Sequence, residues 1–293
     1  MQANELKENG YQEFLEPAKL NLFLHVINKR LDGYHNIQTV FQLIDLYDNL
    51  FIKTNESGLI RRTSHHDTIQ ESDDLTIKAA HLLKPFADKQ SGVDIFIKKN
   101  IPMGGGLGGG SSDAATALIA LNALWECQLT QQELQGLALQ LGADVPFFIF
   151  GQNAWAEGIG EKLTLFQTTP QDYLVIAPRE TVSTREVFES LELTKDQIPL
   201  KIARFSNELD PKNLVNDLEK GVLKEFKGIA LVFDWLNQFG QAKMTGSGSC
   251  FFISLSSVDE GKKIAEKKPE HTLGYVVKGL NNHPHFNLML GTE

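Results

Sequence analysis

Cysteine is scarce in this chain: 293 residues hold only Cys127 and Cys250. Two thiols cannot make a disulfide framework, and a reducing compartment is their simpler setting. Long apolar runs are missing too. Nothing approaches the roughly 20 residues of a membrane helix, and the opening "MQANELKENGYQEFLEP" has no apolar core of a secretion signal. Positive charge is short: 28 Lys and Arg face 37 Asp and Glu, for a net charge of -9. That balance argues against nucleic acid or an anionic membrane as a partner. Together these absences indicate a soluble cytoplasmic protein. Any anionic ligand must be held by local donors against the overall field. No repeat or low-complexity tract is visible, and a hydrophobic fraction of 42% allows two modest domains or one large one.

Glycine, by contrast, is concentrated. In "IPMGGGLGGGSSDAATAL", six glycines lie between Gly104 and Gly110. Each glycine weakens regular structure, so a cluster marks a sharp turn or a close approach of backbone to something bulky. The flanks are structured. "GVDIFIKK" alternates Val93, Ile95 and Ile97 with polar or outward positions, a strand pattern. Ala114, Ala117, Leu118, Leu121 and Leu124 then recur at helical spacing, with Ser111 and Ser112 as N-cap candidates. A strand, a glycine loop and a helix start make an anion site, because free N–H groups and the helix dipole favour phosphate. A branched side chain at Gly108 is expected to occupy the space of the phosphates. The Walker pattern fails, since no lysine follows Gly110. The dinucleotide fingerprint matches formally at Gly104, Gly106 and Gly109, but "ALWECQLTQQEL" reads as helix end, turn and helix where a second strand is required. The protein-kinase tripeptides are absent.

Strands and helices alternate through the rest, an α+β pattern with mixed sheets. The expected division lies near Gly158, giving domains over residues 1–158 and 159–293, with residues 1–15 a frayed extension. In "AKLNLFLHV", Lys19 and Asn21 share the face opposite Ala18 and Leu20; taken alone, the pair reads as a solvated sheet face. Asp32-Gly33 is a turn signal with Tyr34 and His35 beside it, either edge packing or a platform for a flat base. Asp144, ahead of Pro146 in "LGADVPFFIF", is a turn former or cap, or a general base at the edge of apolar surface. Gly246 and Gly248 in "KMTGSGSCFFISL" form a second glycine turn before a strand. His283 and His285 lack partners at metal-ligand spacing and read as surface histidines.

In order from Pro17 to Pro284 stand "PAKLNLFLHV", "RLDGYHNIQTVFQ", "IPMGGGLGGGSSDAA", "LGADVPFF", "GIGE", "VSTREVF", "KMTGSGSCFF" and "NNHP". The ordered set resembles the GHMP kinase superfamily, and within it the members that phosphorylate a cytidine diphosphate sugar alcohol of the non-mevalonate isoprenoid route. The resemblance implies a two-domain α+β GHMP kinase fold with the active site in the interdomain cleft. It implies ATP as phosphoryl donor with Mg²⁺ carried on ATP and Ser111 or Ser112 in reach of the ion. Asp144 would be the catalytic carboxylate and Lys19 its cationic neighbour. Asn21 would contact substrate, Tyr34 and Phe188 would flank the cytosine, and His35 would bond its edge. Phosphate binding would fall to Pro102, Met103, Gly104, Gly105, Gly106, Leu107, Gly108, Gly109, Gly110, Ser111 and Ser112. Thr184 would lie near the substrate, with Gly246, Ser247 and Gly248 lining the cleft opposite. Mevalonate-, homoserine- and sugar-type kinases are the alternatives among enzymes, and a non-catalytic nucleotide-binding sensor on the same fold is the alternative from another class.

Overall fold

The computed structural model describes residues 3–64, 70–169, 171–189, 197–200 and 215–289. The strands are β1 (Gln12–Lys29), β2 (His35–Asn55), β3 (Ile60–Arg62), β4 (Gly92–Lys98), β5 (Ala154–Glu157), β6 (Lys162–Leu165), β7 (Asp172–Pro178), β8 (Lys243–Met244), β9 (Phe251–Leu255) and β10 (Thr272–Leu280). The helices are α1 (Ala3–Glu8), α2 (Leu75–Leu83), α3 (Gly109–Leu124), α4 (Gln131–Ala138), α5 (Val145–Phe150), α6 (Thr184–Glu189), α7 (Glu219–Glu225), α8 (Lys227–Leu236), α9 (Val258–Ala265) and α10 (Phe286–Met289).

β1 and β2 form a long antiparallel hairpin turned at Asp32-Gly33, where Gly33 takes the left-handed φ of 89° that its missing Cβ permits. β2 is the spine of the first sheet and pairs with β1, β4 and β5. The second sheet runs β10-β7-β9-β8, and among the described residues its strands pair with the first through Gly279↔Ile44 and Leu280↔Leu43. Residue 158 falls inside the β5–β6 hairpin, and the second sheet begins with β7. α3 is buried nearly all round, from Ala114 to Leu121. Its small side chains let it lie in the first core against α2, α5 and β1, which fixes where the glycine loop ends.

Three expectations change. β1 shifts register between Asn21 and Leu24, and both of its faces are covered. The supposed solvated face is therefore buried, with Lys19 and Asn21 each 2% exposed. Residues 3–15 are not frayed: Leu6 is buried and Phe14 joins the main core. His283 and His285 are not surface groups either. His283 is buried, and the Leu15 N–H donates to His285 Nε2 at 2.8 Å, which ties the segment after β10 to β1. Burial, with His285 beside it, pushes the His283 imidazole down to about 3, so the ring is neutral.

Candidate active site

The glycine loop meets the second glycine turn face to face. A Cβ at Gly105 would collide with Cys250 Sγ, and one at Gly106 would collide with the Thr245 carbonyl oxygen. The Cys250 N–H donates to Gly105 O at 3.1 Å, and the Lys19 N–H donates to Leu107 O at 3.0 Å. Burial pushes the Cys250 thiol up to about 12, so it acts as packing and not as a nucleophile. Asn216 holds the opposing turn, donating to Met244 O at 3.0 Å and Gly246 O at 2.7 Å. The glycines are thus needed first for backbone against backbone. Gly106→Ala, at φ 79° with its Cβ directed at a carbonyl, is expected to cost about 2–5 kcal/mol of stability. Gly110→Ala, whose Cβ would meet only Leu75 Cδ1 at 3.7 Å, is expected to stay within about 0.5 kcal/mol. Equal thermal melts for the two variants would contradict this packing.

The N-cap of α3 is Gly108, in the left-handed region at φ 74°, and no side chain caps the helix. Ser111 and Ser112 are therefore inside the first turn and not at the cap, a correction of one residue class by backbone geometry. The first intrahelical bond is Ser112 N–H to Gly108 O at 2.9 Å. The N–H groups of Gly109, Gly110 and Ser111 precede it and have no acceptor within the helix. Ser111 lines the cleft, whereas Ser112 is buried with its hydroxyl unpartnered. The expectation for Gly108 also changes. A Cβ there would press on Phe148 Cζ at 3.0 Å and Lys19 Cγ at 3.1 Å, so a side chain disturbs Lys19 and not the open space over the helix.

Lys19 Nζ lies 3.3 Å from Asp144 Oδ2, donates to Asn21 Oδ1 at 2.5 Å, and sits 5.2 Å from the centre of the Phe41 ring. A buried ammonium needs such partners. Asn21 is itself fixed: its Nδ2 donates to Thr39 Oγ1 at 3.0 Å, and its backbone N–H donates to Thr245 Oγ1 at 2.9 Å. Asp144 occupies the N-cap position of α5, yet its carboxylate makes no capping bond. Its carboxylate is about a third exposed and lines the cleft beside Lys19.

Lys19, Asn21, Asp144 and the glycine loop line one cleft of about 1110 Å³, which runs from the loop at Met103 to the hairpin turn at Tyr34. At that second end His35 stacks on Phe188, with ring centres 5.2 Å apart and planes at 28°. Burial, and then Lys29, lower the His35 pKa below the ordinary value. A neutral imidazole presents one donor and one acceptor. Tyr34 lines the cleft and is 58% exposed. His35 is therefore part of the aromatic platform and not only an edge group. Thr184 Oγ1 and Ser247 Oγ are 2.7 Å apart across the cleft wall. Gly246 and Ser247 line it, but Gly248 does not; it shapes the turn, with its missing Cβ facing Met244 Sδ at 2.9 Å.

Lys99, Asp48 and Glu16 carry no role in the sequence reading, and Asp113 only that of an acidic group in the helix's first turn, suited to the dipole or helping through water. Lys99 Nζ bridges Asp48 and Asp113, the latter at 2.5 Å. Burial opposes its charge, but the two carboxylates hold its pKa above the ordinary value. Lys99 stands three residues ahead of Pro102, a position that could have drawn notice beside an anion loop. Asp48 gives no local signal, because its partners are more than 50 residues away.

Two family models match the chain: GHMP kinases N terminal domain over residues 74–152, and GHMP kinases C terminal over 197–271. Fold and cleft thus define an ATP-dependent small-molecule kinase of the GHMP class. The 4-diphosphocytidyl-2-C-methyl-D-erythritol kinase of Thiobacillus denitrificans is 46% identical over 278 residues, covering 95% of this chain and 99% of its own length. The enzyme of the same name from Herminiimonas arsenicoxydans is 49% identical over 271 residues, 92% of this chain and 94% of its own. A crystal structure of 4-(cytidine 5'-diphospho)-2C-methyl-D-erythritol kinase superimposes with a TM-score of 0.81 at 34% identity, covering 92% of this chain and 100% of that one. The chain belongs to the 4-diphosphocytidyl-2-C-methyl-D-erythritol kinase family. A homoserine kinase from Cytophaga hutchinsonii, at TM-score 0.70 and 16% identity over 93% of this chain and 95% of its own, shares the fold.

Proposed function

We propose that the chain transfers the terminal phosphoryl group of ATP to the 2-hydroxyl of 4-diphosphocytidyl-2-C-methyl-D-erythritol, giving the 2-phosphate and ADP in isoprenoid precursor synthesis. The observation that carries this reading is the Lys19 Nζ–Asp144 Oδ2 contact of 3.3 Å between an open helix start and an aromatic platform in one cleft. ATP phosphates lie on the free N–H groups of Gly109, Gly110 and Ser111, and Mg²⁺ enters as part of the MgATP substrate. The acceptor hydroxyl gives its proton to Asp144 as its oxygen bonds to the phosphorus and the bond to the ADP oxygen breaks. Lys19 offsets the charge on the transferring group, and Asn21 holds Lys19 in place. Such transfer depends on positioning and neutralisation more than on covalent chemistry.

The base end sets the acceptor. Stacking tolerates any base, so the selection of cytosine falls to polar groups at its edge, with His35 the nearest. Tyr34→Ala and Phe188→Ala are each expected to raise KM for the acceptor by about 10-fold, with little effect on ATP. The uridine analogue is expected to lose about 10–100-fold in kcat/KM, because a buried polar group is left mismatched. A panel of cytidine, uridine and nucleotide-free acceptors tests this. Equal turnover of all three would make the chain a GHMP kinase of another specificity.

A further inference from the structure

Beneath the first turn of α3 lies a group of buried carboxylates that the transfer reaction does not use. Glu16, Asp48 and Asp113 each place an oxygen within 4.8 Å of the others. Glu16 and Asp48 face each other in the β1–β2 register, and Asp113 is the fifth residue of α3. Asp48 is well supplied with donors: the N–H groups of Asn100 and Ile101 at 2.5 and 2.8 Å, and Lys99 Nζ. Asp113 Oδ2 takes the other bond from Lys99. Glu16 Oε1, Glu16 Oε2 and Asp113 Oδ1 have no donor, although all three atoms are buried. An ionised carboxylate has no proton to offer, so two neighbouring ones cannot satisfy each other.

We propose that Glu16 is a neutral carboxylic acid whose O–H donates to Asp113 Oδ1, and that this shared proton seats the phosphate-binding turn of α3 on the strand that carries Lys19. One proton pairs two of these three atoms, the protonated Glu16 oxygen and Asp113 Oδ1. It also halves the excess charge, since three ionised carboxylates against Lys99 leave two negative charges and the proton leaves one. That reduction matters directly under a site for polyphosphate. Burial, and then the Asp113 charge, push Glu16 well above its ordinary value, and burial also pushes Asp113 up to about 7, as expected of two buried carboxyls that share one proton. Glu16 is three residues before Lys19 on β1, so the bond links the ATP end of the cleft to its catalytic lysine. Glu16 is a positioning residue and touches no substrate. The inference rests on the reading of α3 as the ATP phosphate site.

The test compares the full-length wild type with Glu16→Gln and Glu16→Ala. A glutamine amide can still donate to Asp113 Oδ1, so E16Q is expected to keep KM for ATP within about twofold. E16A leaves a buried acceptor without a donor and is expected to raise KM for ATP about 10-fold, with kcat and the acceptor KM much less changed. Infrared difference spectra of wild type against E16Q at neutral pH are expected to show the carbonyl stretch of a protonated carboxylic acid that shifts on ¹³C-glutamate labelling. Carboxylate bands alone, bands that respond to a chelator as for a bound cation, or an E16Q as impaired as E16A would each overturn the proposal. The infrared band does not depend on ATP, so its presence without any ATP effect would count against the phosphate-site reading instead.

Discussion

Replacing Asp144 by asparagine is expected to lower kcat by about 10²–10⁴-fold while the protein stays folded. The size follows from what the carboxylate does and does not do. It stands at the N-cap of α5 without making a capping bond, and Val145 to Ile149 bury the helix independently of it. Its ion pair with Lys19 is its one strong contact among the described residues. Asparagine keeps the shape but cannot take up the proton of an alcohol, and an alcohol that keeps its proton attacks phosphorus poorly. Lys19 retains Asn21 Oδ1 as a partner at 2.5 Å, so the buried ammonium is not stranded. Steady-state kinetics beside a thermal melt checks the pair of claims. Near-normal turnover in a folded variant would remove Asp144 from the role of proton acceptor.

Lys19→Met should depress kcat by about 10²–10³-fold and alter KM much less. Methionine has a similar length and fits the apolar wall that Phe41 and Phe148 provide. The packing loss is therefore modest, and what disappears is the charge. Lys19 is 2% exposed and held at the reacting end of the cleft, so its ammonium meets negative charge where water is excluded and screening is weak. An interaction that strengthens as charge develops appears in kcat. A variant with raised KM and unchanged kcat would recast Lys19 as a residue of ground-state binding.

Much of this site was legible from local pattern. The glycine loop between a period-two strand and a helical run and the Asp32-Gly33 hairpin turn are short-range signals, and each element forms where its residues indicate. Asp144 by itself reads equally well as a turn former or cap, and the ordered motifs are needed to single it out. What the sequence hid depends on long-range pairing. Lys19 and Asn21 look like a polar sheet face until Thr39 and Thr245 close over them from positions far along the chain. His283 and His285 look exposed until the segment after β10 docks on β1. Glu16 looks like a surface residue near the start of the chain; only the approach of α3 places Asp113 against it. Ser112 looks like a cap because its residue type suits one, but the left-handed backbone of Gly108 starts the helix earlier.

The most direct measurement is phosphorus NMR on the products of the full-length protein with MgATP and 4-diphosphocytidyl-2-C-methyl-D-erythritol. The account predicts one new phosphomonoester resonance for each ADP formed, with the diphosphate resonances of the acceptor retained, and no such resonance with Asp144→Asn on the same timescale. ADP accompanied only by inorganic phosphate, or equally fast phosphorylation of an acceptor that lacks the nucleotide, would contradict it.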